Sequence, residues 1–190
     1  MSALIPGKLP GWKWILAIAF LIPLAAISQE PARRQNRKLT LENFKGTPEE
    51  RSGFLARTYT VISMRYSSPF PCATDKTKVQ VKVETSNRVS EKSWLRADRI
   101  KSKSLLADLL SHEQGHADIG EAFAIELKNS ISTTCFDPLR YKLQADSILR
   151  AMNKRYDALQ MQYDTETSNM MNREMQLRWK KKIEAMLASK

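Results

Sequence analysis

The sequence predicts an α+β fold in which a small antiparallel sheet comes first and three helices follow. Apolar and polar residues alternate along Lys78–Thr85, as in a strand with one face on the core and one in water. Farther along, apolar residues and both histidines recur every three or four positions between Leu105 and Leu127, which is the spacing of one helix face. The strands precede the helices, and this order is typical of an α+β layout.

The first 28 residues have the composition of an export signal. A basic start leads into an apolar stretch from Trp14 to Ile27, and Ala26 to Ser28 supply the small residues that a signal peptidase prefers. The apolar stretch has about 14 residues, whereas a membrane-spanning helix needs roughly 20. We therefore predict a signal peptide over residues 1–28, export to the periplasm or the extracellular space, and one domain over residues 29–190. An uncleaved membrane anchor is the alternative.

Two stretches of the mature chain predict the strands of the sheet. Arg57–Tyr66 is rich in β-branched and aromatic residues, and Lys78–Thr85 places three valines on one face. Residues 67–72, which lie between them, contain two prolines and predict a turn or loop.

Three helices are predicted after the strands. The first contains residues 105–127, with Ser102 or Ser104 as the residue that caps its start. Residues 130–137 predict a loop, and Pro138 suits the first turn of a second helix that reaches roughly Gln162. A break near residues 165–169 separates it from a last helix over residues 170–187.

Both histidines of the chain lie in the pentapeptide His112-Glu113-Gln114-Gly115-His116. Residues four apart share a helix face, so both imidazoles can reach one cation. This is the H-E-x-x-H arrangement of zinc metallopeptidases. It predicts His112 and His116 as ligands of Zn²⁺, with Glu113 as the general base that takes a proton from a water molecule. The alternative is that the two histidines only fill a partly polar helix face.

The charge balance suggests which partners the protein has. The formal net charge of +11 falls to +9 when Lys8 and Lys13 leave with the signal peptide. A basic surface favours anionic polymers of the cell envelope as partners. The sequence contains no zinc finger, no phosphate-binding glycine loop and no basic motif interleaved with aromatic residues. We therefore predict no nucleic-acid partner.

Cys72 and Cys135 are the only cysteines. In an exported chain an isolated pair predicts one disulfide, which would tie the loop after the first strands to the end of the histidine helix. Two free thiols, or a cysteine as a third metal ligand, are the alternatives.

Several stretches of the chain resemble one bacterial family, the domain-of-unknown-function 922 family, a group of exported proteins with zincin-like character. The most specific are Leu105–Glu121, which contains the histidines, and Tyr163–Trp179, which begins Tyr-Asp-x-x-Thr. Weaker matches lie at residues 39–46, 59–66 and 93–94. The resemblance implies a zincin-like α+β fold, a bound zinc ion and a peptide or protein substrate.

The same resemblance bears on the third metal ligand. The family typically reads Tyr-Asp-x-x-Thr-x-His, and that histidine is the natural third zinc ligand, whereas this chain has Asn169 there. If no other residue takes this role, the protein is a catalytically inactive binding or structural protein of the cell envelope.

Other acidic residues are candidates for the third ligand. Asp118 and Glu121 lie about 200° and 140° around the helix from His116, which excludes both. The ligand must then come from another element, and Asp157, Asp164 and Glu166 are the candidates. We expect Glu166, because it is close to residue 169 in sequence and has a long side chain.

Overall fold

The computed structural model describes residues 38–188, which form three two-stranded antiparallel sheets and three α-helices. The α+β prediction is thereby confirmed, with three separate strand pairs in place of one sheet. The predicted signal peptide, residues 1–28, lies outside the described residues. No helix within residues 38–188 combines the length and the apolar character that crossing a lipid bilayer requires.

Each strand pairs with one other strand. The strands are β1 (Ala56–Arg57), β2 (Thr60–Tyr66), β3 (Phe70–Pro71), β4 (Val79–Gln80), β5 (Val83–Val89) and β6 (Trp94–Leu95). The pairs are β1 with β6, β2 with β5, and β3 with β4, all antiparallel. Because β5 continues to Val89, the longest pair holds seven residues on each strand.

The predicted strand over residues 78–85 is interrupted between β4 and β5. Val81 and Val83 are buried while Lys82 and Glu84 are exposed, so the predicted alternation is confirmed. The interruption arises because β4 pairs with β3 and β5 pairs with β2, and the chain that joins β2 to β3 turns at Ser67. The predicted loop over residues 67–72 therefore contains the short strand β3.

The three helices are α1 (Lys103–Thr133), α2 (Tyr141–Thr167) and α3 (Arg173–Ala188). The Ser102 hydroxyl accepts a hydrogen bond from the Leu105 amide and caps α1, as predicted. Several boundaries differ from prediction. α1 continues into the predicted loop as far as Thr133, and α2 begins at Tyr141, so Pro138 precedes this helix. α2 continues past Gln162 to Thr167, the break falls at residues 168–172, and α3 begins at Arg173 instead of residue 170.

α1 is the central element of the fold. One side of it packs on β5 and α2 around Val81, Val83 and Leu127, and the other side packs on α2 and α3 around Tyr163 and Trp179. A disulfide joins Cys72 to Cys135, which confirms the predicted pairing and ties the segment after β3 to the end of α1. The pentapeptide thus lies on a helix that packs against other elements on both sides.

Candidate metal centre

α1 and α2 bring two imidazoles and one carboxylate together. His112 and His116 lie one turn apart on α1, and Asp164 lies in the last turn of α2. The same Asp164 oxygen, Oδ1, is 3.1 Å from Nε2 of His112 and 2.8 Å from Nε2 of His116. We call these three atoms the ligand cluster.

The ligand cluster has the dimensions of a metal site. Its atoms all lie within 4.8 Å of one another. Zinc–ligand distances of about 2.0–2.2 Å put neighbouring ligand atoms of a tetrahedral ion about 3.3–3.6 Å apart. The two nitrogen–oxygen distances, 3.1 and 2.8 Å, are shorter than this, so the side chains would rotate slightly apart to admit the ion.

The buried carboxylate of Glu113 indicates that another molecule binds beside the ligand cluster. Its side chain is buried, with 2% of the residue exposed, and its Oε2 atom has no hydrogen-bond partner among the described residues. A buried carboxylate oxygen without a partner costs free energy unless a further group satisfies it. Glu113 lines the same cavity as both histidines and Asp164, so a water molecule or a substrate there would supply that partner.

Tyr163 holds both imidazoles in place. Its ring stacks on His112 with centroids 4.7 Å apart and meets His116 edge-on at 4.9 Å. The phenol donates to the His112 carbonyl at 3.1 Å. This close approach requires glycine at residue 115, because a Cβ atom there would lie 2.2 Å from the phenol oxygen.

The charges of the cluster stabilise one another in the absence of a metal ion. Burial disfavours the charge of Asp164, but the hydrogen bonds to His112 and His116 outweigh burial and hold the pKa of Asp164 well below its usual range. Burial alone would lower the pKa of His116. The hydrogen bond to Asp164 and the charge of Glu113 instead raise that pKa above 6.5. The carboxylate is therefore ionised and ready to bind a cation.

The ligand cluster opens into a groove of about 820 Å³. One wall is formed by residues 53–60, which include β1, and the other by α2 and the segment that follows it, residues 168–171. Tyr156 and Asp157 of α2 also line it. The cluster can thus be reached by a molecule larger than water.

The structure places Asp164 beside the two histidines, whereas we expected Glu166 there. Oε2 of Glu166 accepts a hydrogen bond from Trp179 Nε1 at 2.8 Å, and its Oε1 accepts one from Gln162 at 2.7 Å. The reason is helical geometry, because residues two apart on α2 point to opposite sides. Asp164 faces α1, and Glu166 faces α3.

The other residues that the sequence singled out lie outside the ligand cluster. Asn169 follows α2 in a left-handed conformation, with φ of 48°, and lines the groove. Asp157 is exposed at the groove wall. Asp118 accepts a hydrogen bond from Gln114 at 2.9 Å.

Sequence reasoning missed two glutamines that contact the histidines. Oε1 of Gln160 is 2.5 Å from His116 Nδ1, and Oε1 of Gln176 is 3.2 Å from His112 Nδ1. One signal was available for the first of them. Gln160 lies four residues before Asp164 on α2 and therefore shares its face. No local pattern marks Gln176 on α3.

Comparison with known proteins identifies the family. The family profile described as "Bacterial protein of unknown function (DUF922)" matches residues 26–172, which include the pentapeptide and the Tyr-Asp-x-x-Thr segment. No curated protein and no solved structure matches the chain. Because the profile spans more than half of the chain, the protein belongs to the DUF922 family of bacterial proteins of unknown function.

Proposed function

We propose that the protein is an exported, zincin-like, zinc-dependent peptidase. The observation that carries this proposal is the ligand cluster of His112, His116 and Asp164 beside the buried, unpartnered oxygen of Glu113. Two imidazole nitrogens and one carboxylate oxygen form a donor set typical of catalytic zinc, which keeps a fourth position open. Export is supported by the composition of residues 1–28.

The chemistry follows from the residues around the cluster. Zinc held there would polarise a substrate carbonyl and bring the pKa of a water molecule to about 7. Glu113 accepts the proton of the attacking water at Oε2 and later delivers it to the leaving amine. Tyr163 holds the imidazole rings at their present angle, and burial keeps its phenol protonated by raising its pKa.

The edge of β1 favours a peptide as the substrate. β1 pairs with β6 only, and the Arg96 amide next to β6 donates to the Leu55 carbonyl at 2.8 Å. Hydrogen bonding alternates along an antiparallel pair, so the backbone groups of Ala56 and Thr58 point away from β6. Both residues line the groove. An extended peptide could bind to these groups by strand addition and place one carbonyl beside the ligand cluster.

Metal content and hydrolysis together test the proposal. We expect protein purified without added metal to contain close to one zinc ion per chain, and His116→Ala and Asp164→Asn to lose it. Glu166→Gln is the matched control and should keep zinc, since its side chain bonds to Trp179. Glu113→Gln should keep zinc and lower cleavage of a peptide library by about 10²–10⁴-fold. Absence of zinc after reconstitution would refute the proposal.

A second candidate function is a zinc-binding protein without hydrolytic activity. Asn169 favours it, because the resemblance places a histidine at this groove-lining position. The same experiment separates the two functions. Bound zinc, with equal and negligible cleavage by the parent protein and Glu113→Gln, would support the binding protein.

A further inference from the structure

In each histidine of the ligand cluster, one ring nitrogen faces Asp164 and the other faces a glutamine. Nε2 of both rings faces Asp164, and Nδ1 faces Gln160 in His116 and Gln176 in His112. The two glutamines come from different helices, α2 and α3. Gln176 also lies beyond residues 26–172, which the family profile matches.

The hydrogen bonds of Gln160 fix which of its amide atoms faces His116. Its Nε2 atom is 3.1 Å from the His116 carbonyl oxygen, which can only accept, and 2.6 Å from the Tyr156 phenol. That atom must therefore be the amide nitrogen. Oε1 is left to face Nδ1 of His116.

The same reasoning fixes the orientation of the Gln176 amide through its contact with the Tyr163 phenol. The Tyr163 phenol donates its proton to the His112 carbonyl at 3.1 Å, so it can only accept from Gln176. The partner of the phenol is therefore the amide nitrogen of Gln176. Oε1 of Gln176 is left to face Nδ1 of His112.

We infer that Gln160 and Gln176 are positioning residues that turn Nε2 of both histidines toward the metal position. An amide oxygen only accepts, so each glutamine favours a ring with a proton on Nδ1. Without a metal ion, Nε2 of each ring faces the Asp164 carboxylate, which is also an acceptor. A cation held by Asp164 would take the place of the Nε2 protons, and each neutral ring would then keep its one proton on Nδ1, bonded to its glutamine.

The neutrality of these partners also matters. Histidine ligands commonly donate their outer N–H to a carboxylate, a backbone carbonyl or water. A glutamine orients the ring without adding negative charge near Asp164 and Glu113. The site therefore has two carboxylates to balance a divalent cation.

This inference rests on the metal site of the proposed function, and ring protonation provides a readout independent of hydrolysis. The chain has two histidines, so long-range ¹H–¹⁵N spectra of the zinc-loaded protein resolve each ring. We expect a protonated Nδ1 and a metal-bound Nε2 in both. A ring that binds the metal through Nδ1, or whose Nδ1 carries no proton, would overturn the inference, even if zinc binds.

Variants test the role of each glutamine. We expect Gln160→Met and Gln176→Met, which remove the acceptor at similar length, to weaken zinc binding by roughly 10- to 100-fold. Gln176→Glu keeps an acceptor and should restore zinc affinity to within about threefold of the parent.

The matched control is Gln162→Met, because this exposed α2 residue bonds to Glu166 and should leave zinc affinity unchanged. Folded methionine variants with parental zinc affinity would overturn the inference. If those variants fail to fold, the ring protonation of the zinc-loaded parent protein and the affinity of Gln176→Glu decide. A parent protein that binds zinc in the expected ring state but cleaves no peptide would refute the proposed hydrolysis and leave the glutamine assignment supported. A parent protein that binds no zinc would overturn both.

Discussion

Replacing Gly115 by alanine tests how tightly Tyr163 is packed against the pentapeptide. A Cβ atom at residue 115 would lie 2.2 Å from the Tyr163 phenol oxygen, 2.6 Å from Cζ and 3.0 Å from Cε1. Tyr163 is 1% exposed and packs against His112 and Trp179, so any shift of its ring disturbs these contacts. The substitution must displace the phenol or bend α1.

The expected magnitude is a balance of two effects. Alanine in place of glycine inside a helix gains about 1 kcal/mol. Overpacking of a buried site costs about 1–3 kcal/mol. Loss of the two phenol hydrogen bonds, with the His112 carbonyl and with Gln176, costs about 1 kcal/mol each. The packing cost and the lost hydrogen bonds outweigh the gain in helix propensity, and we expect Gly115→Ala to lower the free energy of unfolding by at least about 2 kcal/mol and at most about 4 kcal/mol.

Thermal and urea unfolding measure this change. A loss of about 2 kcal/mol lowers the unfolding midpoint by about 4–8 °C in a domain of this size. Gly53→Ala is the control, because a Cβ atom there would meet nothing within 4 Å, and its midpoint should stay close to that of the parent. An unchanged or higher midpoint for Gly115→Ala would refute the reasoning.

A double-mutant cycle identifies the cause. Tyr163→Phe removes the nearest atom to the new Cβ, so Gly115→Ala should cost at least about 1 kcal/mol less in that background. Additivity to within about 0.5 kcal/mol would mean that the clash lies elsewhere.

Two further predictions concern the charges and the disulfide. Because the pKa of His116 is raised, its pairing with Asp164 is fully stabilising below about pH 6.5 and is lost as the pH rises through the pKa of His116 in the folded protein. Because the pKa of Asp164 is lowered, the same pairing is stabilising above about pH 4 and is lost as the pH falls through the pKa of Asp164 in the folded protein. Asp164→Asn should therefore lower the thermal midpoint of chelator-treated protein most between about pH 4 and 6.5, and an equal effect at alkaline pH would contradict this pairing. Replacing both Cys72 and Cys135 by alanine opens a loop of 63 residues and should lower the free energy of unfolding, measured by urea titration, by about 2–4 kcal/mol. An unchanged free energy of unfolding would mean that the disulfide does not constrain the unfolded chain.

Local patterns were sufficient for much of the fold and half of the site. The helix of residues 105–127, its Ser102 cap and the buried face of the valines follow from spacing and capping chemistry, which act between near neighbours. The pairing of His112 and His116 follows from the 3.6-residue period of the helix for the same reason. The disulfide followed from counting two cysteines in a chain whose first residues have the composition of an export signal.

Which acidic residue lies beside the histidines depended on where α2 ends. The sequence predicted an end near Gln162 and a break near residues 165–169, and this left the directions of the Asp164 and Glu166 side chains undetermined. In the structure α2 continues to Thr167, where buried Thr167 donates to the Tyr163 carbonyl at 2.6 Å, and the helix then ends in three residues with positive φ. Helical residues two apart point to opposite sides, so this extension turned Asp164 toward α1 and Glu166 toward Trp179.

The sequence by itself determined that one helix of this protein carries two histidines and a glutamate on faces suited to a metal ion. Only the tertiary structure decided what completes the set: Asp164 from α2, Gln160 and Gln176 behind the rings, and Tyr163 packed on Gly115. The physical reason is that spacing along one helix specifies which residues share a face. Which residues of other helices meet that face depends on how the helices pack and where each one ends.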